Sequence, residues 1–382
     1  MKPYDVAVIG LGSMGSFLAM ELAARKALVV GFDQFIPPHH EGSHSGETRV
    51  FRTAYYEHPS YTPLAVRSGF LWDRLGQDIG KRLLTRTGLL SMGPEDSEII
   101  LGIQESAALH RIPILRLSSN EIAKQYLALR PPDNFMGLLE ETAGWIDVDV
   151  SLQETLRRAK LLGADLHLET TVLGWEASNN EVRVKTEFRE FVARQLVITA
   201  GPWASLLLRD LNLPLKIRRK ILAWFDPLVP EPFREGTLPI FAFAPNFFYG
   251  FPNIRAKGVK VGLHEGGDTV AAIPVRPVSA PDLDPIAQAA AKFLRGLCDS
   301  GERVADRLLQ AQTCLYTMTP DEHFIIDRHP QFENVCFATG FSGHGFKFAP
   351  VVGEALADLA LEGRTELPIG FLRLEGRFPQ AS

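Results

Sequence analysis

The chain is poor in cysteine, with Cys298, Cys314 and Cys336 the three among 382 residues. An odd number at wide spacing argues against a disulfide framework and suits reduced thiols in a cytoplasm. Neither sign of charge dominates: 40 Lys and Arg stand against 45 Asp and Glu, a net charge of -5. That balance speaks against a nucleic-acid surface and against a basic membrane-binding face. No apolar run approaches the ~20 residues that a membrane span requires. No secretory leader is evident, because Val6–Ile9 is a short apolar run broken by glycine, with Asp5 ahead of it and no cleavage site behind. Internal repeats and low-complexity tracts are missing as well. His39, His40 and His44 sit close together, but no Cys or carboxylate set completes a ligand shell, so the reading is no metal. What remains is an ordinary globular composition on a chain longer than one core usually serves, and two domains are expected.

The strongest pattern stands at the start. An apolar run ends at Gly10, glycines follow at Gly12 and Gly15 flanking Ser13 and Met14, a helical pattern covers about Met14 to Lys26, and a second apolar run delivers Asp33. This is a βαβ dinucleotide fingerprint in its expected context. Gly10 permits a tight turn, Gly12 lets backbone approach a pyrophosphate, and Gly15 lets helix and strand pack closely. Asp33 is placed to accept from a ribose hydroxyl and disfavours a 2′-phosphate, so NADP is not expected. The motif alone does not distinguish NAD from FAD.

Further along, Arg49 and Arg52 lie in a turn-rich loop. Alone they read as surface ion pairs; beside a nucleotide fold they can converge on anions. A helix over Leu64–Leu75, a strand over Thr87–Gly93, a helix from about Glu95 to His110 and capping boxes at Ser118–Glu121 and Ser151–Glu154 do not continue a βαβ alternation, which implies an inserted domain. Strands at Thr171–Glu176, Glu181–Thr186 and about Glu187–Phe191, with Asn179-Asn180 as the first turn, read as an antiparallel meander, and Leu196–Gly201 as a separate buried strand. That order points to a flavin fold. From Ile217 to His264 the chain is strand-like and aromatic, and alternation puts Lys260, Gly262 and His264 on one face, either a cleft lining or a solvent-exposed face. Asp282–Leu297 reads as a helix carrying Cys298 at its end, Leu309–Tyr316 as a strand carrying Cys314, Asn334–Gly340 as another, and Phe341–Phe348 as a glycine-rich loop before a helix over Val351–Leu361. On the residues alone, Cys314 is a core thiol.

Together, Gly10–Gly15 with Asp33, Gly42–Arg52, Phe248–Pro252, Lys260 with His264, Cys314-Leu-Tyr316, Asp321–Asp327 and Phe341–Lys347 resemble the monomeric sarcosine oxidase and N-methyltryptophan oxidase family of flavoprotein amine oxidases, within the glycine and D-amino acid oxidase superfamily. The resemblance implies an α/β (α+β) architecture, with a discontinuous FAD domain over 1–85, 145–213 and 306–382 and a substrate domain over 86–144 and 214–305. It implies FAD joined covalently to Cys314, with Cys298 and Cys336 structural. Gly10, Gly12, Ser13, Met14, Gly15, Asp33, Gln34, Ser43, His44, Arg49, Val172, Gly343, His344, Gly345, Phe346 and Lys347 match cofactor contacts. Arg52 and Lys347 match the holders of a substrate carboxylate, and Tyr249, Tyr316 and His264 match pocket walls and polar contacts. Lys260 matches the site of oxygen activation, and Arg49 a cation beside the flavin.

The implied reaction is oxidation of sarcosine or another N-methyl amino acid. A hydride equivalent passes to the flavin, the imine is hydrolysed, and dioxygen returns as hydrogen peroxide; glycine and formaldehyde are the other products. Two departures from the family pattern, Ser45 where a second histidine is common and the segment Tyr55-Tyr-Glu-His-Pro-Ser-Tyr61, bear on substrate size, as do Val50 and Leu238–Phe247. N-methyltryptophan, pipecolate, proline and fructosyl amino acids stay open as substrates. The rivals are a flavin dehydrogenase, a non-catalytic nucleotide sensor and an NAD-dependent imine reductase. A monomer is implied by the family.

Overall fold

The computed structural model describes residues 3–178, 180–244, 246–271 and 273–378. Strand β1 (Tyr4–Ile9), helix α1 (Ser13–Ala24) and strand β2 (Val29–Phe32) form the opening unit. The strands pair in parallel from Val6 with Val29 to Ile9 with Phe32. All four residues of β2 are buried, as a strand covered on both faces requires, while α1 contributes Phe17, Leu18 and Leu22 to the core beneath it.

Among the described residues, eight strands make the first sheet. The meander is present, and Val182 and Val184 are buried while Arg183 and Lys185 are exposed. Its third expected strand, about Glu187–Phe191, and the separate strand expected over Leu196–Gly201 are one, Glu190–Ile198. The outer half pairs antiparallel with Val182–Thr186, and the inner half runs parallel to β1 and to Val335–Thr339. One strand passes from a half-exposed edge to a fully buried centre, so its hydrophobic pattern changes midway and imitates a break. The turn residue Asn179 lies outside the described residues.

Among the described residues nine strands form the second sheet, ordered from Asp268–Val270 through Lys216–Phe225, Val259–Leu263, Phe248–Asn253 and Ile240–Phe243 to Leu89–Pro94, Phe135–Glu140 and Leu115–Ser118. The ninth, Leu308–Met318, pairs along Lys216–Phe225, with Cys314 opposite Lys220. It therefore belongs to this sheet, although it falls within the 306–382 range expected for the first domain.

Two local expectations need correction. Helix Val148–Leu161 is capped by Asp147, whose carboxylate accepts from the Val150 N–H at 3.1 Å, and not by Ser151, which lies inside the helix with its hydroxyl on the Asp147 carbonyl. The strand Gly144–Asp147 runs straight into the helix, so its last residue doubles as the cap. Cys298 lies beyond its helix, which ends at Phe293. The Ser118–Glu121 capping box is present as read. Among the described residues no helix is long and apolar enough to cross a membrane.

Candidate active site

A cavity of about 570 Å³ opens at the end of β1 and runs between the two large sheets, within the ~300–1,000 Å³ typical of ligand clefts. At its first end lie the glycines. Gly10 has φ +93°, and a Cβ there would sit 2.6 Å from the Thr199 carbonyl oxygen; at Gly15 a Cβ would sit 1.8 Å from the Gly10 oxygen. Chain packing thus accounts for both. A Cβ on Gly12 would meet nothing closer than His44 Nδ1 at 3.6 Å, so the middle glycine keeps open space on the cavity side, where a dinucleotide phosphate needs close approach. The residues present fit FAD on this count.

Asp33 accepts from the Leu11 N–H at 2.8 Å and the Phe35 N–H at 2.9 Å. Burial pushes its carboxyl up to about 6, against the pull of those two amides. The acid expected on a ribose therefore also pins the glycine turn. Ser13, Met14, Gln34, Ser43, His44 and Val172 line the same end of the cavity, whereas Gly15 does not. His44 Nε2 accepts from the His39 backbone N–H at 3.0 Å, giving the buried imidazole a role within the loop.

At the middle of the cavity, strand Thr48–Phe51 carries Arg49. Its guanidinium donates to the carbonyls of Thr48 at 2.9 Å, Ser45 at 2.5 Å and Ser43 at 3.2 Å, and to Cys314 Sγ at 3.2 Å. Ser45 in turn donates its hydroxyl to the Thr313 carbonyl at 2.6 Å, tying this loop to the strand of Cys314. Of the three thiols, that of Cys314 lines the cavity; Cys336 is enclosed in its strand, and burial pushes its thiol up to about 12.

Lys260 is buried, so its face of the strand is the cleft lining. Nζ donates to the Gly46 and Thr48 carbonyls at 2.7 and 2.8 Å and to Thr48 Oγ1 at 2.8 Å. The Phe251 ring centroid lies 4.4 Å away. Burial, then Arg49, drives this ammonium well below its ordinary value, while three acceptors and an aromatic face favour the charged form.

The far end holds two buried basic side chains. Arg52 and Lys347, some 295 positions apart in sequence, both line the cavity and are 5 % and 4 % exposed. Arg52 lies over the Tyr55 ring at 3.9 Å and the Tyr56 ring at 4.8 Å, and Nη2 pairs with Glu57. Arg52 Nη1 and Glu57 Oε2 are buried without a partner among the described residues. Lys347 Nζ donates to the Tyr55 hydroxyl at 3.1 Å and to the His344 carbonyl at 2.7 Å. His264, Tyr249 and Tyr316 form the adjoining wall. Burial pushes His264 down to about 3, so it is neutral near pH 7. Gly343, at φ +83°, makes room for Tyr316, because a Cβ there would lie 2.1 Å from that ring. Gly345 and Phe346 complete the loop along the cavity.

Sequence reasoning missed Thr48 as the partner of Lys260, Glu57 as the counter-ion of Arg52, Tyr55 behind the two cations, and Tyr56 as the wall facing Phe247, which ends the stretch Leu238–Phe247 expected to shape the pocket. The unusual make-up of Tyr55–Tyr61 was the available signal for three of them.

A βαβ turn with an open middle glycine, feeding a cavity that ends on two buried cations, defines a flavin-dependent oxidoreductase. A family model described as FAD dependent oxidoreductase matches residues 5–359. Within that class the chain belongs to the family of the monomeric sarcosine oxidases and N-methyl-L-tryptophan oxidases. It is 38% identical over 379 residues to monomeric sarcosine oxidase of Streptomyces avermitilis, covering 97% of each chain. It is 33% identical over 380 residues to N-methyl-L-tryptophan oxidase of Salmonella dublin, covering 99% of this chain and 100% of that one. Solved structures agree on the fold: NikD, an unusual amino acid oxidase essential for nikkomycin biosynthesis, superposes with TM-score 0.85 at 24% identity, covering 98% of both chains. Glycine oxidase from Geobacillus kaustophilus does so with TM-score 0.82 at 18% identity, covering 99% of this chain and 100% of that chain.

Proposed function

We propose that this chain is an FAD-dependent oxidase of N-methyl amino acids, with sarcosine as the reference substrate. The overall change is sarcosine, dioxygen and water to glycine, formaldehyde and hydrogen peroxide. The observation that carries the reading is the convergence of Arg52 and Lys347 on one end of a cavity whose other end is a dinucleotide turn. With Glu57 counted, the pair leaves one net positive charge, which a substrate carboxylate neutralises. Arg52 Nη1 is buried without a partner among the described residues, so the guanidinium keeps donor capacity that its pair with Glu57 does not use. A neutral His264 adds no further cation to repel the substrate amine.

Gly10, Gly12, Asp33, Ser43, His44, Arg49 and the loop Gly343–Lys347 would hold FAD, with Cys314 as its covalent attachment. Bound FAD supplies the two-electron acceptor for substrate oxidation and the site of return to dioxygen. Lys260, held by the Gly46 and Thr48 oxygens, would stand beside that site, where its protonated form favours electron transfer to oxygen. The protein works as a monomer in the cytoplasm. The aromatic wall of Tyr56, Phe247 and Tyr249 keeps a second reading in play, oxidation of a bulkier secondary amino acid such as N-methyltryptophan, pipecolate, proline or a fructosyl amino acid.

Anaerobic mixing of the yellow holoenzyme with sarcosine and with each of those alternatives tests this reading. Bleaching followed by peroxide on admitting air supports it and ranks the substrates. Bleaching without peroxide would transfer the chain to the dehydrogenases, and no bleaching by any of them would overturn it. Acid precipitation checks the covalent bond: yellow colour should stay with the wild-type pellet and leave with the supernatant in Cys314→Ala.

A further inference from the structure

Tyr55 is fully buried and does not line the cavity, yet it touches both cations that do. Its ring carries the Arg52 guanidinium at 3.9 Å, and its hydroxyl lies 3.1 Å from Lys347 Nζ and 2.7 Å from His344 Nδ1. Proton positions follow from the end of this row. His344 Nε2 lies 3.1 Å from the Glu322 carbonyl oxygen, which can only accept, so Nε2 carries the proton. Nδ1 of the neutral ring is then an acceptor, and the Tyr55 hydroxyl donates to it. The phenol oxygen is left to accept from Lys347. Every link points one way, from ammonium to phenol to imidazole to carbonyl.

Two further features agree with that order. Burial drives His344 well below its ordinary value and Tyr55 well above its own, leaving both neutral. Glu322 sits at φ +59°, an uncommon conformation for a residue with a side chain, and it presents the carbonyl that ends the row.

We propose that Tyr55 is the positioning residue of the carboxylate clamp, setting Arg52 with its ring face and Lys347 with its hydroxyl through a one-way hydrogen-bond row ending on the Glu322 carbonyl. This rests on the clamp reading given above. The ring stacks the guanidinium and holds it at the cavity wall; the hydroxyl takes one ammonium proton and, with the His344 carbonyl, leaves the third for the substrate. Burial, then Arg52 and Arg49, drives the Lys347 ammonium well below its ordinary value against Glu57, so its acceptors matter to the charged form; His344 and Tyr55 are its titratable neighbours.

The test uses the holoenzyme and (methylthio)acetate, which is sarcosine with sulfur in place of the amine, and follows the flavin absorbance. Lys347→Met should weaken binding on the order of 100-fold, as truncation of a buried charge partner does. Tyr55→Phe keeps the ring and loses the hydroxyl, and should weaken binding roughly tenfold, the low end of the scale of one hydrogen bond to a charged group. Tyr55→Leu should weaken it further. Loss of the phenol acceptor destabilises the ammonium, so in Tyr55→Phe the basic limb of the binding profile moves to lower pH, a shift that loosened packing alone would not produce. Wild-type affinity and an unmoved limb in Tyr55→Phe, with binding lost in Lys347→Met, would overturn the proposal and keep the clamp. Wild-type affinity in Lys347→Met would overturn the clamp and the proposal with it. Nitrogen NMR of His344 in the wild-type enzyme is an independent check: a proton on Nε2 supports the row, and a proton on Nδ1 overturns it.

Discussion

The two ends of the cavity are built on different principles. The nucleotide end is local: Gly10, Gly12, Gly15 and Asp33 fall within 24 consecutive residues, and backbone contacts dictate Gly10 and Gly15. The anion end is assembled from side chains of distant segments, Arg52 and Tyr55 from one loop, Lys347 and His344 from another near the C-terminus. Its groups are charged, buried and mutually compensating. A local site therefore fails through the fold, and a dispersed one fails through affinity while the fold survives.

The largest effect should come from breaking the local end. Gly15→Val forces side-chain atoms onto the Gly10 carbonyl, where a Cβ would already lie at 1.8 Å. Overpacking costs about 1–3 kcal/mol where neighbours can yield, and a backbone oxygen held in a parallel strand unit cannot. The expected outcome is no folded yellow protein, measured by circular dichroism and flavin content. Gly12→Ala sharpens the point, because the nearest atom to its Cβ is 3.6 Å away: it should fold normally and lose flavin. Equal melting temperatures for the two apoproteins would refute the division of roles.

Breaking the dispersed end should give the opposite phenotype. Lys347→Met should lower kcat/KM for sarcosine on the order of 10²- to 10³-fold, mostly through KM, since about 2–5 kcal/mol is the usual cost of losing a buried charge partner. Among the described residues Lys347 pairs with no carboxylate, since Glu57 pairs with Arg52, so its replacement strands no opposite charge and the melting temperature should fall far less than in a broken buried ion pair. A parallel loss of stability and activity would count against the contrast.

The same contrast explains what could be read from the sequence. The βαβ unit, the meander and the buried face of Val259 and Val261 follow from periodicity and turn chemistry, which act over a few residues. The joining of Glu190–Ile198 into one strand does not, because the change of pairing partner halfway along is set by residues Val335–Thr339, far away in the chain. Ser151 looked like a cap because its spacing to Glu154 is right, yet Asp147 arrives first at the end of its strand. At the site, Lys347 and Arg52 were legible through resemblance, whereas Glu57 was not: nothing local says that a carboxylate five residues on folds back onto the arginine rather than into water.

A smaller effect separates the ends by pH. Asp33 has a folded value of about 6 against an ordinary 3.8, raised first by burial. An acid raised in this direction contributes its full stability below the unfolded value and loses it as pH climbs through the folded one, by at most about 3 kcal/mol. The apoprotein should therefore lose stability from pH 5 to pH 8 relative to Asp33→Asn, whose amide does not ionise. Denaturant melts at the two pH values measure the difference, and parallel behaviour of the two proteins would remove Asp33 as the cause. At the anion end a change at residue 33 should leave the affinity for (methylthio)acetate untouched.

The smallest effect concerns the wall beside the clamp, where Tyr56 and Phe247 face each other with ring centroids 5.5 Å apart and Tyr56 also covers Arg52. Phe247 has φ +42° and its neighbour Asn246 +68°, a costly backbone state for a bulky residue, of the kind that persists where the surroundings over-determine it. The His264 N–H donates to the Phe247 carbonyl at 3.1 Å and holds that turn against the pocket. Such an aromatic pair is placed to meet the substrate's side chain rather than its carboxylate. Phe247→Ala should therefore raise kcat/KM for N-methyl-L-tryptophan relative to sarcosine by roughly tenfold, since pocket volume discriminates by only about 1–3 kcal/mol. Tyr56→Ala should move the ratio the same way and also weaken sarcosine itself, because Arg52 loses one of its two aromatic faces. If both ratios stay at the wild-type value, the pair lies outside the reach of the substrate, and selectivity rests on Tyr249 and Tyr316 deeper in the cavity.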